Sequence, residues 1–166
     1  IGAGTSDIAI SKDGSIVGYT MATVAGDEIT EAVMKSYLVD FQTAEYIKMQ
    51  IQEDGDIEFT DILGLPHTVT NEEVRTCIDG AFKTLCKEIS EKILLVNGNA
   101  PSAVFLAGGG SKLADMQECV SKYLEMDQNR VAIAGNNFSV NAFSDEYDLN
   151  NPEYATPLGI AVSAGL

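Results

Sequence analysis

The sequence opens with a glycine-rich stretch whose residue types suit phosphate binding: Gly2, Gly4, Thr5, Ser6 and Asp7. Glycines lack the Cβ atoms that hold an anion away from the backbone, and they permit the positive φ angles that direct successive N–H groups at one point. Hydroxyl groups can donate to phosphate oxygens, and a carboxylate can hold the water ligands of Mg²⁺. The stretch is therefore a candidate phosphate loop, although the same residues also suit an ordinary hairpin turn.

A second glycine run, Gly108, Gly109 and Gly110 followed by Ser111, lies between a short apolar segment and a helical pattern. Three consecutive glycines exceed what a tight turn from strand to helix needs. A run without side chains would let a flat base or a ribose lie against the backbone. Because α/β folds bind ligands in crevices beyond strand ends, we expect both glycine stretches to open at the same edge of one sheet.

Other polar residues are weaker candidates. From the residues alone, Glu45 and Lys48 are best explained as an exposed ion pair spaced i,i+3 on a helix. The single histidine, His67, lies in a Pro-containing loop, where a surface or turn role is expected. A late polar loop lacks the regular ligand spacing of an EF-hand and predicts a solvated segment rather than a Ca²⁺ site, despite its acidic residues Asp145, Glu146 and Asp148.

Length and composition bound the class of protein. The 166 residues fit one domain, 45% of them are hydrophobic, and no apolar run approaches the roughly 20 residues of a membrane span. The formal net charge is −15, and no basic cluster occurs, so nucleic acid is not an expected partner. A nucleotide is still compatible with this charge, because backbone amides, a helix N-terminus and Mg²⁺ can hold phosphates.

The three cysteines, Cys77, Cys86 and Cys119, occupy apolar positions of predicted helices and include no C-x-x-C pair. This pattern predicts buried free thiols, which favours a reducing cytoplasm. The sequence also starts inside a motif and without Met, so we expect it to be a piece of a longer protein.

The apolar spacing in the first half predicts the elements that carry the first loop. Strands at 6–12 and 15–24 are joined by the turn dipeptide Asp13-Gly14. Two helices follow, over 28–39 and 41–52, with Asp27 and Asp40 as predicted N-caps. A turn at 53–56, a strand at 57–63 and a loop at 64–67 complete this half.

The second half predicts alternating helices and strands. Thr70 and Glu73 form a capping box for the longest helix, whose apolar stripe should lie on a sheet. The later predicted elements are a strand buried on both faces at 102–107, a helix at 112–125, a strand at 130–134, a polar loop at 135–152 and a small-residue helix ending at Leu166. This order indicates a layered α/β sheet, in which residues 27–70 have no obvious place and are interpreted as an inserted subdomain.

Four motifs in order carry a resemblance to a known family. They are Ile-Gly-Ala-Gly-Thr-Ser-Asp at 1–7, Ala-Gly-Asp-Glu-Ile-Thr at 25–30, Thr-Ala-Glu-Tyr-Ile-Lys at 43–48 and Leu-Ala-Gly-Gly-Gly-Ser at 106–111. Together they resemble the second half of an actin-like ATPase, closest to the bacterial cell division FtsA family, with MreB and DnaK-type chaperones as wider relatives. The resemblance implies that residues 1–166 are a ribonuclease-H-like α/β lobe, domain II of that fold, with subdomain 2B inserted at about 27–70.

On the phosphate side, the resemblance implies a role for each matched residue. Gly2, Gly4 and Thr5 match a loop that contacts the β- and γ-phosphates of ATP. Asp7 matches an acidic residue near the hydration shell of Mg²⁺. Gly26 matches the glycine turn that leads into subdomain 2B.

On the nucleoside side, Glu45 and Lys48 match helix residues that face the ribose and adenine. The glycine run Gly108, Gly109 and Gly110, with Ser111 and Lys112, matches the adenosine loop. Two positions depart from the family pattern: Ala3 replaces a common glycine, and Pro157 lies inside the usual C-terminal helix.

The resemblance implies that the full-length protein binds Mg-ATP between this lobe and a domain I outside this sequence. It also implies filament formation, a division-ring partner such as FtsZ, and a cytoplasmic location that includes the cytoplasmic side of the membrane, without membrane contact from this segment. The usual catalytic aspartate would precede Ile1, so the segment by itself is expected to bind nucleotide weakly and not to hydrolyse it. Two alternatives stay open: the lobe of a chaperone-like or PilM/EutJ-like scaffold, and the lobe of a sugar or acyl kinase.

The last predicted helix, over 155–165, carries more apolar side chains than one helix on a small lobe needs. We therefore expect an exposed apolar face there, or at the neighbouring phosphate-loop edge, that forms a self-contact.

Overall fold

The computed structural model describes residues 1–51, 55–134, 148 and 151–163. In these residues the strands are β1 Ser6–Lys12, β2 Ser15–Ala22, β3 Ile57–Thr60, β4 Pro66–Val69, β5 Val104–Leu106 and β6 Val131–Ile133. The helices are α1 Gly26–Tyr37, α2 Phe41–Gln50, α3 Asn71–Asn97, α4 Met116–Tyr123 and α5 Ala155–Ser163. Short 3₁₀ turns lie at Gly109–Lys112, Gln128–Arg130 and Pro152–Tyr154.

Strands β1 and β2 form the predicted antiparallel hairpin. Asp13 and Gly14 have φ angles of 51° and 78°, which is the pair of positive values that a two-residue turn matching strand twist requires. The pairing register shifts between Ile10 and Ser11, where a bulge interrupts the ladder. The hairpin prediction is confirmed, with β2 ending two residues earlier than expected.

The two helices after the hairpin start for different reasons. In α1 the N-cap is Ala25, whose N–H donates to Glu28 Oε2 at 2.7 Å. The prediction of Asp27 as N-cap is wrong, because Asp27 already lies in the first helical turn, where its charge favours the helix dipole. In α2 the prediction is confirmed: Asp40 Oδ1 accepts from the Thr43 N–H at 2.8 Å.

Strands β3 and β4 form a second antiparallel hairpin. The sequence predicts a loop at 64–67, but Pro66 begins a strand. Proline is tolerated as the first residue of a strand because no ladder hydrogen bond is needed from it there. Gly64, with a φ of 81°, makes the turn that precedes it.

Asp61 holds the loop of this second hairpin. Its Oδ1 accepts from the N–H groups of Leu63 and Leu65 at 2.8 and 2.9 Å, and its Oδ2 lies 2.9 Å from His67 Nε2. The His67 ring also stacks on Phe59, with the ring centroids 5.3 Å apart. His67 therefore lies on strand β4 instead of in the predicted loop, and its side chain supports the turn through Asp61.

The long helix α3 is the centre of the hydrophobic core. Its capping box is confirmed: Thr70 Oγ1 accepts from the Glu73 N–H at 3.2 Å, and Glu73 Oε2 accepts from the Thr70 N–H at 2.8 Å. Its predicted apolar stripe packs against α1, α4 and the first hairpin. The buried stripe consists of Val74, Ile78, Leu85, Cys86, Ile89, Ser90 and Ile93. Gly98, with a φ of 79°, ends the helix.

The sheet prediction needs correction. In the described residues, hydrogen bonds join the strands only in pairs: β1 with β2, β3 with β4, and β5 with β6 in parallel. Residues 6–24 and 102–107 therefore do not share one hydrogen-bonded sheet. Instead residues of β1 and β5 both line a cleft of about 440 Å³, together with Ile89 and Ile93 of α3.

One further expectation is wrong, and others concern residues outside the described ranges. Strand β5 is buried on one face only, since Phe105 is 59% exposed while Val104 and Leu106 are buried. The predicted turn at Glu53 and Asp54, the late acidic residues Asp145 and Glu146, and the chain beyond Ser163 lie outside the described residues.

The cysteines are free thiols, as predicted, although only Cys86 is fully buried and Cys77 and Cys119 are half-buried. Across the described ranges, none of the helices has the length and apolar character needed to span a bilayer. The side chain of Ile160 on α5 is 66% exposed, in line with the expected apolar surface of that helix.

Candidate functional site

The first glycine loop is docked onto the start of α1. The Gly26 N–H donates to the Gly2 carbonyl at 3.0 Å, and the Asp27 N–H donates to the Ala3 carbonyl at 2.8 Å. A Cβ atom on Gly26 would lie 3.3 Å from the Gly2 oxygen, so a side chain there would crowd the loop. Within the loop, the Gly2 N–H donates to the Thr5 carbonyl at 3.0 Å. The glycines at 2 and 26 thus permit a close approach of two backbone segments.

The side chains after this loop divide between the interior and the surface. Thr5 is exposed, but Ser6 is buried and its hydroxyl donates to the Val24 carbonyl at 2.7 Å. The expectation that Ser6 donates to a phosphate is therefore wrong, because the alternation of β1 turns its side chain inward. Thr5 keeps its hydroxyl on the accessible side of the loop.

Asp7 is exposed on β1 and accepts a hydrogen bond from the Tyr19 hydroxyl at 2.5 Å. This hydrogen bond raises the pKa of Tyr19. Within the described ranges, no cluster of three His, Cys, Asp or Glu side chains could hold a metal ion. A single exposed carboxylate fits Mg²⁺ only where phosphates and water supply most of the ligands.

A polar cluster joins α2 to the start of α1. Lys48 Nζ lies 2.8 Å from Thr30 Oγ1 and 3.4 Å from the Gly26 carbonyl, and it forms an ion pair with Glu45. The Thr30 hydroxyl also contacts the Glu45 carboxylate. The side chains of Lys48 and Glu45 are only 16% and 30% exposed, so the interpretation as an exposed surface pair is wrong.

Thr30 is the member of this cluster that sequence reasoning missed. It is fully buried, and its hydroxyl lies 3.1 Å from the Gly26 carbonyl, one helical turn earlier. The sequence signal for Thr30 was its i,i+4 spacing from Gly26 within the motif at 25–30, because this spacing places both residues on one face of α1.

The second glycine loop wraps around Ile1. The Ile1 nitrogen donates to the Ala107 carbonyl at 2.7 Å, and the Gly110 N–H donates to the Ile1 carbonyl at 3.2 Å. A Cβ atom on Gly108 would lie 2.4 Å from the Ile1 oxygen, and one on Gly110 would lie 2.4 Å from Ile1 Cγ2. Gly108 also has a φ of 87°. The structure therefore brings the two glycine loops together at Ile1, although the strands beside them do not share one hydrogen-bonded sheet as expected.

Ser111 closes the second loop internally. It is buried, and both its hydroxyl and its N–H donate to the Gly108 carbonyl, at 2.7 and 3.1 Å. Its hydroxyl therefore shapes the loop.

A late segment completes the loop environment and was also missed. The Gly108 N–H donates to the Pro152 carbonyl at 2.9 Å, and Lys112 Nζ lies 3.0 Å from Glu153 Oε1. The sequence predicts that Pro152 ends a surface loop. The dipeptide Asn151-Pro152 was the sequence signal for a short turn, because Asn is a common cap and Pro suits the first position of a turn. In the structure, Asn151 Oδ1 accepts from the Glu153 N–H at 3.2 Å and caps this turn.

These contacts form one continuous site. The Lys48 cluster contacts Gly26, Gly26 holds the first loop, and Ile1 passes directly from that loop to the second. The site offers the exposed Thr5 hydroxyl to an anion, and the N–H groups of Gly2, Gly26 and Gly110 donate to carbonyls within the protein. The ammonium of Lys48 lies beside the Gly26 carbonyl.

The structure thus brings the two predicted glycine loops and the predicted pair Glu45 and Lys48 together. The hydroxyls of Ser6 and Ser111 instead donate to backbone carbonyls within the protein.

Comparisons with known sequences identify relatives of this chain. A family model described as "Cell division protein FtsA" matches residues 1–159. The chain is 22% identical over 170 residues to "Cell division protein FtsA" of Bacillus subtilis (strain 168), covering 96% of this chain and 36% of that protein. It is also 22% identical over 178 residues to the protein of that name from Buchnera aphidicola subsp. Acyrthosiphon pisum (strain APS), covering 96% and 41%. The chain therefore spans well under half the length of these relatives.

Three solved structures share the fold. The "PilM-PilN type IV pilus biogenesis complex" has a TM-score of 0.73 at 20% identity, covering 98% of this chain and 44% of that one. MreB5 of Spiroplasma citri bound to ADP gives 0.70 at 21%, covering 98% and 50%. The ethanolamine utilization protein EutJ from Carboxydothermus hydrogenoformans gives 0.65 at 22%, covering 98% and 47%. At these identities the likeness shows the fold alone, which is that of the actin-like ATPases.

Proposed function

The chain belongs to the FtsA family of cell division proteins, and on that premise we propose that it is the nucleotide-binding domain II of an actin-like ATPase. In the full-length protein it would bind Mg-ATP between this lobe and a domain I. The observation that carries the proposal is the direct junction of two glycine loops through Ile1, beside the partly buried cluster of Lys48, Glu45 and Thr30.

The roles of the residues follow from their positions in the site. Gly4 and Thr5 would bind phosphate through their backbone amides and the exposed Thr5 hydroxyl, while Gly2, whose N–H donates to the Thr5 carbonyl, would shape the phosphate loop. Asp7 would hold a water ligand of Mg²⁺, which supplies the positive charge that this acidic chain lacks. Because Mg²⁺ prefers to keep several waters, one carboxylate is enough for this role.

The nucleoside would lie on the opposite side of the site. Glu45 and Lys48 would face the ribose and base from α2, and the bare backbone of Gly109 and Gly110 would support the adenosine. Thr30 would act as a positioning residue, because its hydroxyl contacts both members of the ion pair.

Residues at about 27–70 would form the inserted subdomain 2B, with α2 and the hairpin β3–β4 as its main elements. Family membership supports a role in the division cytoskeleton, with filament formation and an FtsZ-type partner as functions of the full-length protein in the cytoplasm. Pelleting of the full-length protein with ATP distinguishes a filament former from a scaffold.

Nucleotide binding is tested by NMR titration of the ¹⁵N-labelled chain with Mg-ATP. We expect the largest shift changes at the amides of Gly2–Thr5, Gly26 and Gly108–Ser111, with an affinity weaker than micromolar. The weak affinity is expected because this lobe supplies only part of the proposed site, and each charge-assisted hydrogen bond that domain I would add contributes about 1.5–3 kcal/mol.

Two lysine variants provide the matched comparison. Lys48→Met should weaken binding by about tenfold or more, since it removes a charged contact of about 1.5–3 kcal/mol. Lys35→Met should leave binding unchanged, because Lys35 forms an exposed pair with Glu31 on α1, with its side chain 77% exposed. Shift changes confined to other surfaces would overturn the proposed site, and micromolar or tighter binding would overturn its division between two lobes.

A further inference from the structure

The cleft of about 440 Å³ runs along the edges of two strands. Residues 6–11 of β1 and residues 103–107 around β5 line it without interruption. Because successive side chains of a strand point to opposite faces, an unbroken run of lining residues means that the cleft borders the backbone edge of each strand. In the described part of the chain, β1 is hydrogen-bonded only to β2, and β5 only to β6. Each strand therefore has one edge that can still take a partner.

Ile1 also lines this cleft, and it already pairs with the segment that follows β5. Its nitrogen donates to the Ala107 carbonyl at 2.7 Å, and its carbonyl accepts from the Gly110 N–H at 3.2 Å. Bonds from one residue to an earlier and a later position of the same neighbouring segment are the slanted pattern of parallel pairing. Backbone that leads into Ile1 in this direction therefore passes beside Leu106 and Val104, along the cleft.

The loop after Ile1 sets the orientation toward β1. The Gly2 N–H donates to the Thr5 carbonyl at 3.0 Å, so residues 2–5 form a tight loop directly before β1 begins at Ser6. A strand that precedes such a tight loop pairs antiparallel with the strand that follows it. One extended segment leading into Ile1 can thus bond to β1 on one side and to β5 on the other.

The lining of the cleft suits an apolar strand. Its buried apolar side chains come from β1, α3 and β5, and they are Ile8, Ile89, Ile93, Val104 and Leu106. Among the described residues that line the cleft, Asp7 alone carries a charged side chain. Strands buried on both faces are near-continuous runs of Val, Ile and Leu, which match such a lining. At about 3.4 Å per residue, the lining run of β1 spans about 17 Å, which is the length of a five-residue strand.

We propose that this cleft is the acceptor for one extended, uncharged apolar strand, and that the segment directly before Ile1 in the full-length protein supplies it. The part that this chain matches amounts to only 36% and 41% of its two curated relatives, so each relative has further chain available. The added strand would join the pairs β1–β2 and β5–β6 into one sheet. It would also hold Ile1, the junction of the two glycine loops, from its N-terminal side. The proposal does not depend on nucleotide binding.

The test extends the chain by five valines joined to Ile1 and compares it with the parent chain. The matched control carries Gly-Ser-Gly-Ser-Gly in place of the valines, because glycine and serine do not favour a buried strand. We expect the valine segment to raise the Tm by about 5 °C or more, and the control segment to change it by less than about 1 °C. A second control, Val-Pro-Val-Pro-Val, should also lack the rise, because proline cannot donate to a strand ladder.

Hydrogen exchange followed by NMR locates the added segment. In the valine chain, the β1 amides that do not donate to β2, together with amides of β5, should exchange at least about tenfold more slowly than in the parent. Amides of the β3–β4 hairpin should be unchanged. Sedimentation should show a monomer, because the strand and its acceptor belong to one chain. If the valine chain is not monomeric, Thr-Val-Thr-Val-Thr replaces it, since threonine also favours strands and is more polar.

Three results would overturn the proposal. One is an equal Tm for the valine and Gly-Ser chains, and another is slower exchange that spares β1 and β5. The third is slower exchange that occurs only in a dimer, which would assign the cleft to a strand from a second copy. None of these measurements involves a nucleotide, so a failure here is distinct from a failure of the proposed nucleotide site.

Discussion

Individual glycines are required to different degrees in this chain. Gly108 combines a φ of 87° with a position where a Cβ atom would lie 2.4 Å from the Ile1 carbonyl oxygen. Gly80, within α3, has open space around its missing Cβ. The same residue type is therefore demanded by backbone geometry at one position and tolerated at the other.

This difference predicts opposite effects of one substitution. Gly108→Ala should lower the free energy of unfolding by about 1–3 kcal/mol, because it combines left-handed strain with a backbone clash. Gly80→Ala should raise it by about 0.5–1 kcal/mol, because alanine favours the helix. Urea unfolding followed by circular dichroism measures both. A Gly108→Ala variant as stable as the parent would mean that the second loop does not close on Ile1.

Among the elements, the β3–β4 hairpin shows how one side chain can hold a short pair of strands. Asp61 is buried although its loop is exposed, and its carboxylate binds His67 and two backbone amides. The hydrogen bond from His67, followed by those from Leu65 and Leu63, holds the pKa of Asp61 below its ordinary value of 3.8. The charged form of Asp61 is thus the form that stabilises the hairpin.

The sign of the pH dependence follows from this lowered pKa. The stabilisation by Asp61 is fully present above the unfolded-state pKa of about 4 and is lost as the pH falls through the lower folded-state pKa. Asp61→Asn should therefore lower the Tm at pH 7, and the difference from the parent should vanish at strongly acidic pH. Asp127→Asn is the control, since Asp127 precedes a 3₁₀ turn without capping it. A Tm difference that persists unchanged in acid would contradict the assignment.

At the scale of the whole molecule, charge is unbalanced. Ten Lys and Arg residues cannot neutralise 25 Asp and Glu residues, so the folded chain carries a net charge of −15. Exposed ion pairs such as Lys83 with Asp79 contribute only about 0.2–1 kcal/mol each. The summed repulsion between like charges should therefore outweigh what salt removes from these pairs.

Stability should accordingly rise with ionic strength. Near 0.1 M salt the screening length shortens to about 10 Å, which weakens repulsion across the molecule. We expect the Tm to increase between low and physiological salt, as measured by calorimetry. Glu58→Lys, on the exposed face of β3, reduces the net negative charge and should flatten this increase. A Tm that falls with added salt would show that the ion pairs dominate instead.

What the sequence by itself determined is local. The turn at Asp13-Gly14, the Asp40 cap and the Thr70–Glu73 capping box each depend on residues within four positions of one another, and all three are confirmed. The ordered glycine motifs indicated the fold family because each motif preserves a short backbone geometry. Asp27 was misassigned as a cap because neighbouring acidic residues compete for that role, and Glu28 satisfies the Ala25 amide instead.

Only the tertiary structure decided which distant groups meet. The junction of the glycine loops joins Ile1 to Ala107, 106 residues apart, and Lys48 reaches Thr30 across 18 residues. It also decided that the Ser6 and Ser111 hydroxyls turn to internal carbonyls, and that Cys86 Sγ lies 3.6 Å from Met116 Sδ. Sequence periodicity tells which face of an element is apolar, but the packing of whole elements sets the distances between faces, and hydrogen bonding depends on those distances.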